Sequence, residues 1–148
     1  MTSAFSDPRH GLGVGLLPHS GAARLLTDVV RSGPGFVEAI GKVGAEHPLA
    51  SGGRVPSFLG LELGAQAAAA MEALDRLGGA GEPARRSGYL VRVREASFIV
   101  PDLPADTPLH VTARLESAAS PLAIHRISVS VEGSECLTAV IGTFSGTR

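Results

Sequence analysis

The hydrophobic pattern divides the chain into one long helical segment and several alternating segments. The run Val55–Leu77 is rich in Ala, Leu, Met, Glu and Gln, residues that favour helices. From residue 58 to residue 74 the polar side chains are only Glu62, Gln66 and Glu72. A helix that is apolar nearly all round is buried nearly all round. The pattern therefore predicts a central helix that the rest of the chain must cover.

The ends of this helix have local signals. Pro56 suits a first helical turn, Ser57 is a candidate N-cap, and Gly78-Gly79 is a stop signal. A helix of this length is about 30 Å long. It is interrupted by glycine and by polar residues, so it does not fit a membrane span.

The segments around the helix predict strands. Before it, residues 22–30 predict a short helical turn that leads into a first strand, and Phe36–Val43 predicts a second strand. Loops are predicted at residues 45–54 and at the Pro/Asp-rich segment 101–108. After the helix, apolar and polar residues alternate, as in an antiparallel sheet with one solvated face. These alternating segments are Gly88–Val100, Leu109–Glu116, Leu122–Glu132 and Cys136–Phe144.

This order of elements satisfies every apolar face if one curved antiparallel sheet wraps around the helix. The prediction is an α+β protein with the hot-dog fold, in which the sheet surrounds a long central apolar helix. Residues 16–148 are expected to form a single domain, preceded by a loose Gly-rich segment at residues 1–15.

Composition narrows the function. The 148-residue chain has a formal net charge of −1, which gives no support for binding nucleic acid or an anionic membrane. Its only cysteine, Cys136, fits a reducing compartment and is expected to be a small buried residue. The N-terminus lacks a signal-peptide pattern, so a cytoplasmic location is expected. No His pair has metal-ligand spacing, and we expect neither a metal nor another cofactor.

Three motifs in order carry a resemblance to a known family. They are Leu16-Leu17-Pro18-His19, the helix start with Val55-Pro56, Glu62 and Ala65-Gln66, and Gly88-Tyr89-Leu90-Val91. Together they resemble the β-hydroxyacyl-acyl-carrier-protein dehydratases over roughly residues 16–145. Within that family, the helix segment and the preceding His47-Pro48-Leu49 are most similar to the aryl-polyene-type dehydratase branch.

The resemblance implies the removal of water from a 3-hydroxyacyl thioester. Such chemistry needs a base for the proton α to the carbonyl, an acid for the leaving hydroxyl and donors for the thioester oxygen. Glu62 matches the family acid, and a carboxyl buried on an apolar helix holds its proton more tightly. Gln66, one turn further on, is placed to hydrogen-bond Glu62. Gly60 and Pro56, at the helix start, are the other expected substrate-binding positions.

The family base, a His in a His-Phe-Pro-Gly motif, has no clear counterpart. His47 is the nearest histidine, fifteen residues before Glu62. Two interpretations are open: His47 is a shifted catalytic base, or the catalytic loop is missing and His47 belongs to the segment upstream of it.

The resemblance also implies partners. In these dehydratases the site lies between two protomers, so this chain forms a homodimer, or a heterodimer in which a second hot-dog subunit supplies the His. An acyl carrier protein is the expected substrate carrier, and Arg85, Arg86, Arg92 and Arg94 are candidates for docking this acidic protein. A solvated surface is the alternative for these arginines. Two other functions remain open: an acyl thioesterase, and an inactive hot-dog partner or scaffold subunit.

Overall fold

The computed structural model describes residues 23–77 and 86–147, and side chains within 23–75 and 90–144. Eight strands and one helix follow one another in these ranges. They are β1 (Leu26–Gly33), β2 (Phe36–Gly41), β3 (Arg54–Pro56), α1 (Leu59–Leu77), β4 (Arg86–Phe98), β5 (Asp102–Pro104), β6 (Leu109–Ala119), β7 (Leu122–Val131) and β8 (Ser134–Thr147). The expected loose segment 1–15, the motif Leu16–His19 and Gly78-Gly79 lie outside the described residues.

Six strands form one antiparallel sheet in the order β1-β2-β6-β7-β8-β4. The remaining two, β3 and β5, form a small separate pair. The helix α1 packs against the large sheet and contacts all six of its strands. The predicted α+β arrangement, one antiparallel sheet around one helix, is therefore confirmed.

The core lies between the sheet and α1. Alternate residues along the strands contribute side chains to this core. The residues of β6 that sequence alternation placed on one face, Leu109, Val111 and Ala113, are all buried. On α1, two glycines allow the helix to approach the sheet closely. A methyl group at Gly60 would meet the end of Leu137, and one at Gly64 would meet Ile127.

The start of the helix differs from the prediction. Helix α1 begins at Leu59, and Pro56 lies in β3, where it pairs with Asp102 of β5. The Ser57 hydroxyl does not cap the helix; it donates a 2.6 Å hydrogen bond to the carbonyl of Val100. The segment 101–108, predicted to be only a turn, contains β5, and this strand holds residues 54–56 in extended conformation.

Strand β4 forms one edge of the large sheet. Every residue from Val91 to Ile99 is exposed, although the strand pairs with β8 along its length. Val93 lies opposite the buried Ile141 and Phe98 lies opposite the buried Leu137, yet they are 39% and 45% exposed. Since residues opposite one another in an antiparallel pair share a face, the core face of the sheet continues past the part that α1 covers.

Candidate functional site

Gln66 connects the helix to the beginning of β1. It is completely buried, and its Oε1 accepts hydrogen bonds from the amides of Leu25 at 2.8 Å and Leu26 at 3.0 Å. Its Nε2 donates to the carbonyl of Ala23 at 2.6 Å and to Oε1 of Glu62 at 3.3 Å. The predicted contact between Gln66 and Glu62 is present, and every hydrogen-bonding site of the Gln66 amide has a partner.

Glu62 lies on a side of α1 that the sheet leaves partly open. We call this side the open face and define it by the half-buried residues Leu61, Glu62, Ala69 and Glu72. Glu62 is half-buried, because this side of the helix points away from the strands that Gly60 and Gly64 contact. The carboxyl is held from one side by Gln66 and stays accessible from another.

The two substrate-binding candidates at the helix start are already engaged in local structure. Pro56 has no N–H to donate, and its backbone belongs to β3. The amide of Gly60 donates to the carbonyl of Ser57 at 2.9 Å, and the amide of Leu61 donates to that of Phe58 at 3.0 Å. A donor for a substrate oxygen at this end must therefore come from other amides of the first turn.

His47 lies in a loop at the other side of the described structure from β4. It is half-buried and lines a cavity of about 310 Å³. The backbone N–H of Leu49 donates a 3.1 Å hydrogen bond to its Nδ1. This hydrogen bond engages the lone pair of Nδ1.

The cavity around His47 is polar and does not include Glu62. The cavity is lined by both acidic and basic side chains. The carboxylate of Asp106 accepts a hydrogen bond from the amide of Ala45 at 3.2 Å. The lining residues are Arg24, Leu25, Thr27, Lys42, Gly44, Glu46, His47 and Asp106. Among the described residues, Glu62 does not line the cavity that contains the candidate base, although Leu25, whose amide donates to Gln66, does.

The four arginines that are candidates for docking a carrier protein are only partly described. Arg92 and Arg94 are exposed on β4, and Arg86 begins that strand, whereas Arg85 lies outside the described residues. Arg94 pairs with Val140, which also pairs with Arg126 of β7. Arg126 contacts Glu116 at 2.6 Å and Glu95 at 3.6 Å, so the surface beside these arginines carries both charges.

The sequence patterns did not single out His125. This residue is completely buried on β7, on the same face as Ile127 and Val129, and burial lowers its pKa to about 4. Its Nε2 lies 3.8 Å from Oε1 of Glu72 on α1. The signal was available in the sequence, because strand alternation places residues 125, 127 and 129 on one face.

Among residues 23–77 and 86–147, no group of three or more His, Cys, Asp and Glu side chains is arranged to hold a metal ion. None of the helical structure described for the chain is long and apolar enough to cross a membrane.

The fold is that of hot-dog proteins. A chain of the dehydratase heterocomplex ApeI:P from Xenorhabdus doucetiae superimposes with a TM-score of 0.81 at 20% identity, covering 91% of both chains. Cj0977, a virulence protein of Campylobacter jejuni, gives a TM-score of 0.65 at 12% identity and covers 97% of this chain and 95% of its own. A hypothetical thioesterase with coenzyme A from Streptococcus pneumoniae gives 0.57 at 12% identity, with 81% and 85% covered.

The sequence identifies the family within this fold. The family model for ApeP-like proteins, described as ApeP dehydratase, matches residues 14–148, and the chain belongs to this family. None of the curated proteins matches the sequence. The predicted hot-dog fold and the predicted dehydratase family are both confirmed.

Proposed function

We propose that this chain is the acid-bearing subunit of a heterodimeric dehydratase. The enzyme removes water from 3-hydroxyacyl thioesters on an acyl carrier protein, in polyene or fatty-acid-like biosynthesis. Glu62 protonates the leaving hydroxyl, and the base that takes the proton α to the carbonyl comes from the second subunit. The observation that carries this proposal is that Glu62, on the open face of α1, is not among the described residues that line the cavity containing His47.

The chemistry at Glu62 supports its role as the acid. A general acid needs a carboxyl that is accessible to the substrate and fixed in orientation. The half-buried position of Glu62 supplies the access, and the hydrogen bond from Gln66 supplies the orientation. The amides of Leu25 and Leu26 donate hydrogen bonds to Gln66 and fix its side chain. The start of β1 therefore helps to fix the orientation of Glu62 through Gln66.

The binding of the thioester oxygen is assigned to the first turn of α1. Because the amides of Gly60 and Leu61 are used within the turn, we assign the oxygen to the amides of Phe58 and Leu59. Amides at a helix N-terminus point along the axis and stabilise developing negative charge.

The edge strand supports the heterodimer. The helix-facing side of β4 carries Val93 and Phe98, which remain exposed although their partners on β8 are buried. A second hot-dog subunit that pairs with β4 would extend the sheet and cover these side chains, as edge strands require. The similar ApeI:P is a dehydratase heterocomplex, which supports the presence of a second subunit.

We place the binding site for the carrier protein on the face of β4 that points away from the helix. Arg92 and Arg94 are exposed there, two positions apart on one face of β4. An acidic carrier protein docked on them would deliver its acyl chain close to the subunit boundary.

The test is a dehydration assay on a 3-hydroxyacyl carrier protein, with the chain alone and with the subunit that co-purifies with it. We expect turnover only in the two-subunit assembly, and a loss of about a thousandfold or more for Glu62→Gln. Asp75→Asn, an exposed acid on the same helix, is the matched control and should keep full turnover. Full activity of Glu62→Gln would refute the acid assignment.

A His47→Gln variant separates the two interpretations of the base. If the second subunit supplies the base, this variant loses less than about threefold in kcat, because His47 only lines a cavity to which Glu62 does not contribute. A loss as large as that of Glu62→Gln would make His47 the base and remove the need for a second catalytic subunit. No turnover in any assembly would favour the inactive scaffold.

A further inference from the structure

Two arginines lie at the edge of the sheet where we place the second subunit. Arg92 and Arg94 are exposed and two positions apart on β4, the last strand in the order of the sheet. Val93, between them, lies opposite the buried Ile141 and therefore belongs to the core face. Since successive residues of a strand point to opposite faces, both arginines lie on the face away from α1, which we call the outer face.

The charge of these two arginines is not balanced within the described part of the chain. Across the ladder they lie opposite Gly142 and Val140 of β8, which carry no charge. Among the side chains described in 23–75 and 90–144, no carboxylate forms a salt bridge with either arginine. The carboxylate of Glu95, the next residue, lies 3.6 Å from Arg126 of β7. Glu95 thus reaches back across β8, away from the edge.

The two arginines also occupy the regular part of the edge strand. The register of β4 against β8 shifts on both sides of residues 92–94, after Leu90 and before Ser97. Such irregularities interrupt the hydrogen-bond ladder of a strand. A neighbouring strand therefore pairs most regularly with residues 92–94, where Val93 offers it an apolar contact on the core face.

A second copy of this chain meets a charge conflict at residues 92–94. Two copies that join through β4 are related by a two-fold axis, and their strands run antiparallel. Residues directly opposite one another share a face, with Cβ atoms about 5 Å apart. If the axis passes through Val93, Arg92 of each copy lies opposite Arg94 of the other. A shift by two residues places Arg92 or Arg94 opposite itself, so each of these registers opposes like charges and is destabilised.

We propose that Arg92 and Arg94 make β4 pair with a different hot-dog subunit rather than with a second copy of this chain. The inference rests on the proposed two-subunit assembly and adds the chemistry of its interface. The edge strand of the second subunit presents neutral or acidic side chains, and no lysine or arginine, opposite these two positions. Such a strand covers Val93 and Phe98 without repulsion. The two charges that receive an acidic carrier protein thereby also exclude the homodimer.

The first test measures self-association of the full chain by analytical ultracentrifugation. The double variant Arg92→Gln/Arg94→Gln removes both charges and should lower the Kd of the homodimer by at least about tenfold, because the opposed like charges are lost. Adding Val93→Lys should abolish this gain, which would assign it to β4. A neutralised chain that associates no more tightly than wild type would overturn the inference.

The second test mixes two chains of opposite edge charge. In a mixed dimer of wild type and Arg92→Glu/Arg94→Glu, a glutamate lies opposite an arginine in every register described above. The Kd of this mixed dimer should be at least about tenfold below that of either homodimer. The difference should shrink as the salt concentration rises, because exposed charges are screened. A difference that does not respond to salt would contradict a charge effect.

A matched control separates the edge from charge reversal in general. Arg31→Glu/Arg114→Glu reverses two exposed charges on β1 and β6, which both contact the ring of Phe36. Mixed with wild type, this variant should show no preference for the mixed dimer, since neither position lies on β4. Thermal unfolding of each variant establishes that it is folded.

The outcomes separate this inference from the proposed function. A mixed dimer no tighter than the homodimers would overturn the inference even if the two-subunit assembly dehydrates its substrate. Tighter binding of the co-purified second subunit by Arg92→Glu/Arg94→Glu than by wild type would show a basic facing strand and would also overturn it. Preferred mixed pairing, in a protein whose assembly with the second subunit never dehydrates a 3-hydroxyacyl thioester, would uphold the inference and refute the dehydratase function.

Discussion

Gln66 in the middle of the helix accepts a 2.8 Å hydrogen bond from the amide of Leu25, forty-one positions earlier in the chain. This bond lies in the buried core, and the same oxygen also serves the amide of Leu26. It links the strand that begins the sheet to the helix that carries Glu62, so its loss affects stability and site geometry together.

The first prediction concerns Gln66→Leu. The variant leaves two buried amides without an acceptor and the carbonyl of Ala23 without its donor, and the free energy of unfolding should fall by about 3 kcal/mol. Urea denaturation measures this loss. Ser128→Ala, which removes a hydrogen bond between exposed groups, should change stability by less than about 0.5 kcal/mol. A Gln66→Leu chain as stable as that control would contradict the prediction.

Gly64 sets the distance between helix and sheet. A methyl group at Gly64 would lie 3.1 Å from Cγ2 and 3.2 Å from Cβ of Ile127, atoms near the backbone that move little. We expect Gly64→Ala to lose about 1–2 kcal/mol, since overpacking outweighs the gain of about 1 kcal/mol in helix propensity.

A double mutant and a second glycine check this explanation. Adding Ile127→Ala to Gly64→Ala should cost less than the two single losses combined, because the smaller side chain relieves the clash. At Gly60 the close atom is only the end of Leu137, whose Cγ would lie 3.4 Å away. Gly60→Ala should therefore be tolerated better than Gly64→Ala, and the reverse order would argue against this account. Chemical denaturation of all four variants provides the comparison.

The buried His125 makes stability depend on pH. Its pKa of about 4 in the folded chain is below the ordinary value of 6.5, so the unfolded chain binds more protons between these values. The stability that this group contributes is complete above pH 6.5 and is lost as pH falls towards 4, by up to about 3 kcal/mol.

Unfolding free energies of wild type and His125→Leu, measured from pH 7 to pH 4, check this dependence. The variant should show a shallower decline, because leucine does not titrate. His110→Leu is the matched control, since His110 is exposed on β6, and its decline should follow that of wild type. Identical profiles for His125→Leu and wild type would show that the ring does not titrate in this range.

The exposed core face of β4 predicts an effect on assembly. Val93→Lys places a charge where we propose that the second subunit covers the strand. It should raise the Kd of the assembly by at least about tenfold. Leu49→Lys introduces the same charge at a side chain that is 48% exposed in the His47 loop, and it should leave assembly intact. Analytical ultracentrifugation distinguishes the two. Equal effects would locate the interface elsewhere.

Much of the fold followed from local pattern. The helix was predicted from the composition of residues 55–77, and the inward residues of β6 and β7 were predicted from alternation, because burial on one face of a strand imposes a period of two. The start of the helix was predicted four residues too early. A three-residue strand that ends in Pro56 has the composition of a helix start, and only its pairing with β5 reveals it.

The site was less predictable than the fold. The contact between Gln66 and Glu62 follows from helical spacing, since residues four apart share a side. The bonds from Gln66 to Leu25 and Leu26 join parts of the chain that sequence spacing does not relate. Whether Glu62 lines the His47 cavity likewise depends on the path of the loop between the two residues, which no local pattern determines.

The uncovered edge strand has a consequence for how the protein is made. If a second subunit covers β4, the folded state gains free energy with every increase in that subunit's concentration, and the melting temperature rises with it. A cell that makes this chain in excess of its partner would then hold a population with an apolar edge free to pair with other strands. The balance of synthesis between the two subunits would thus control both activity and solubility.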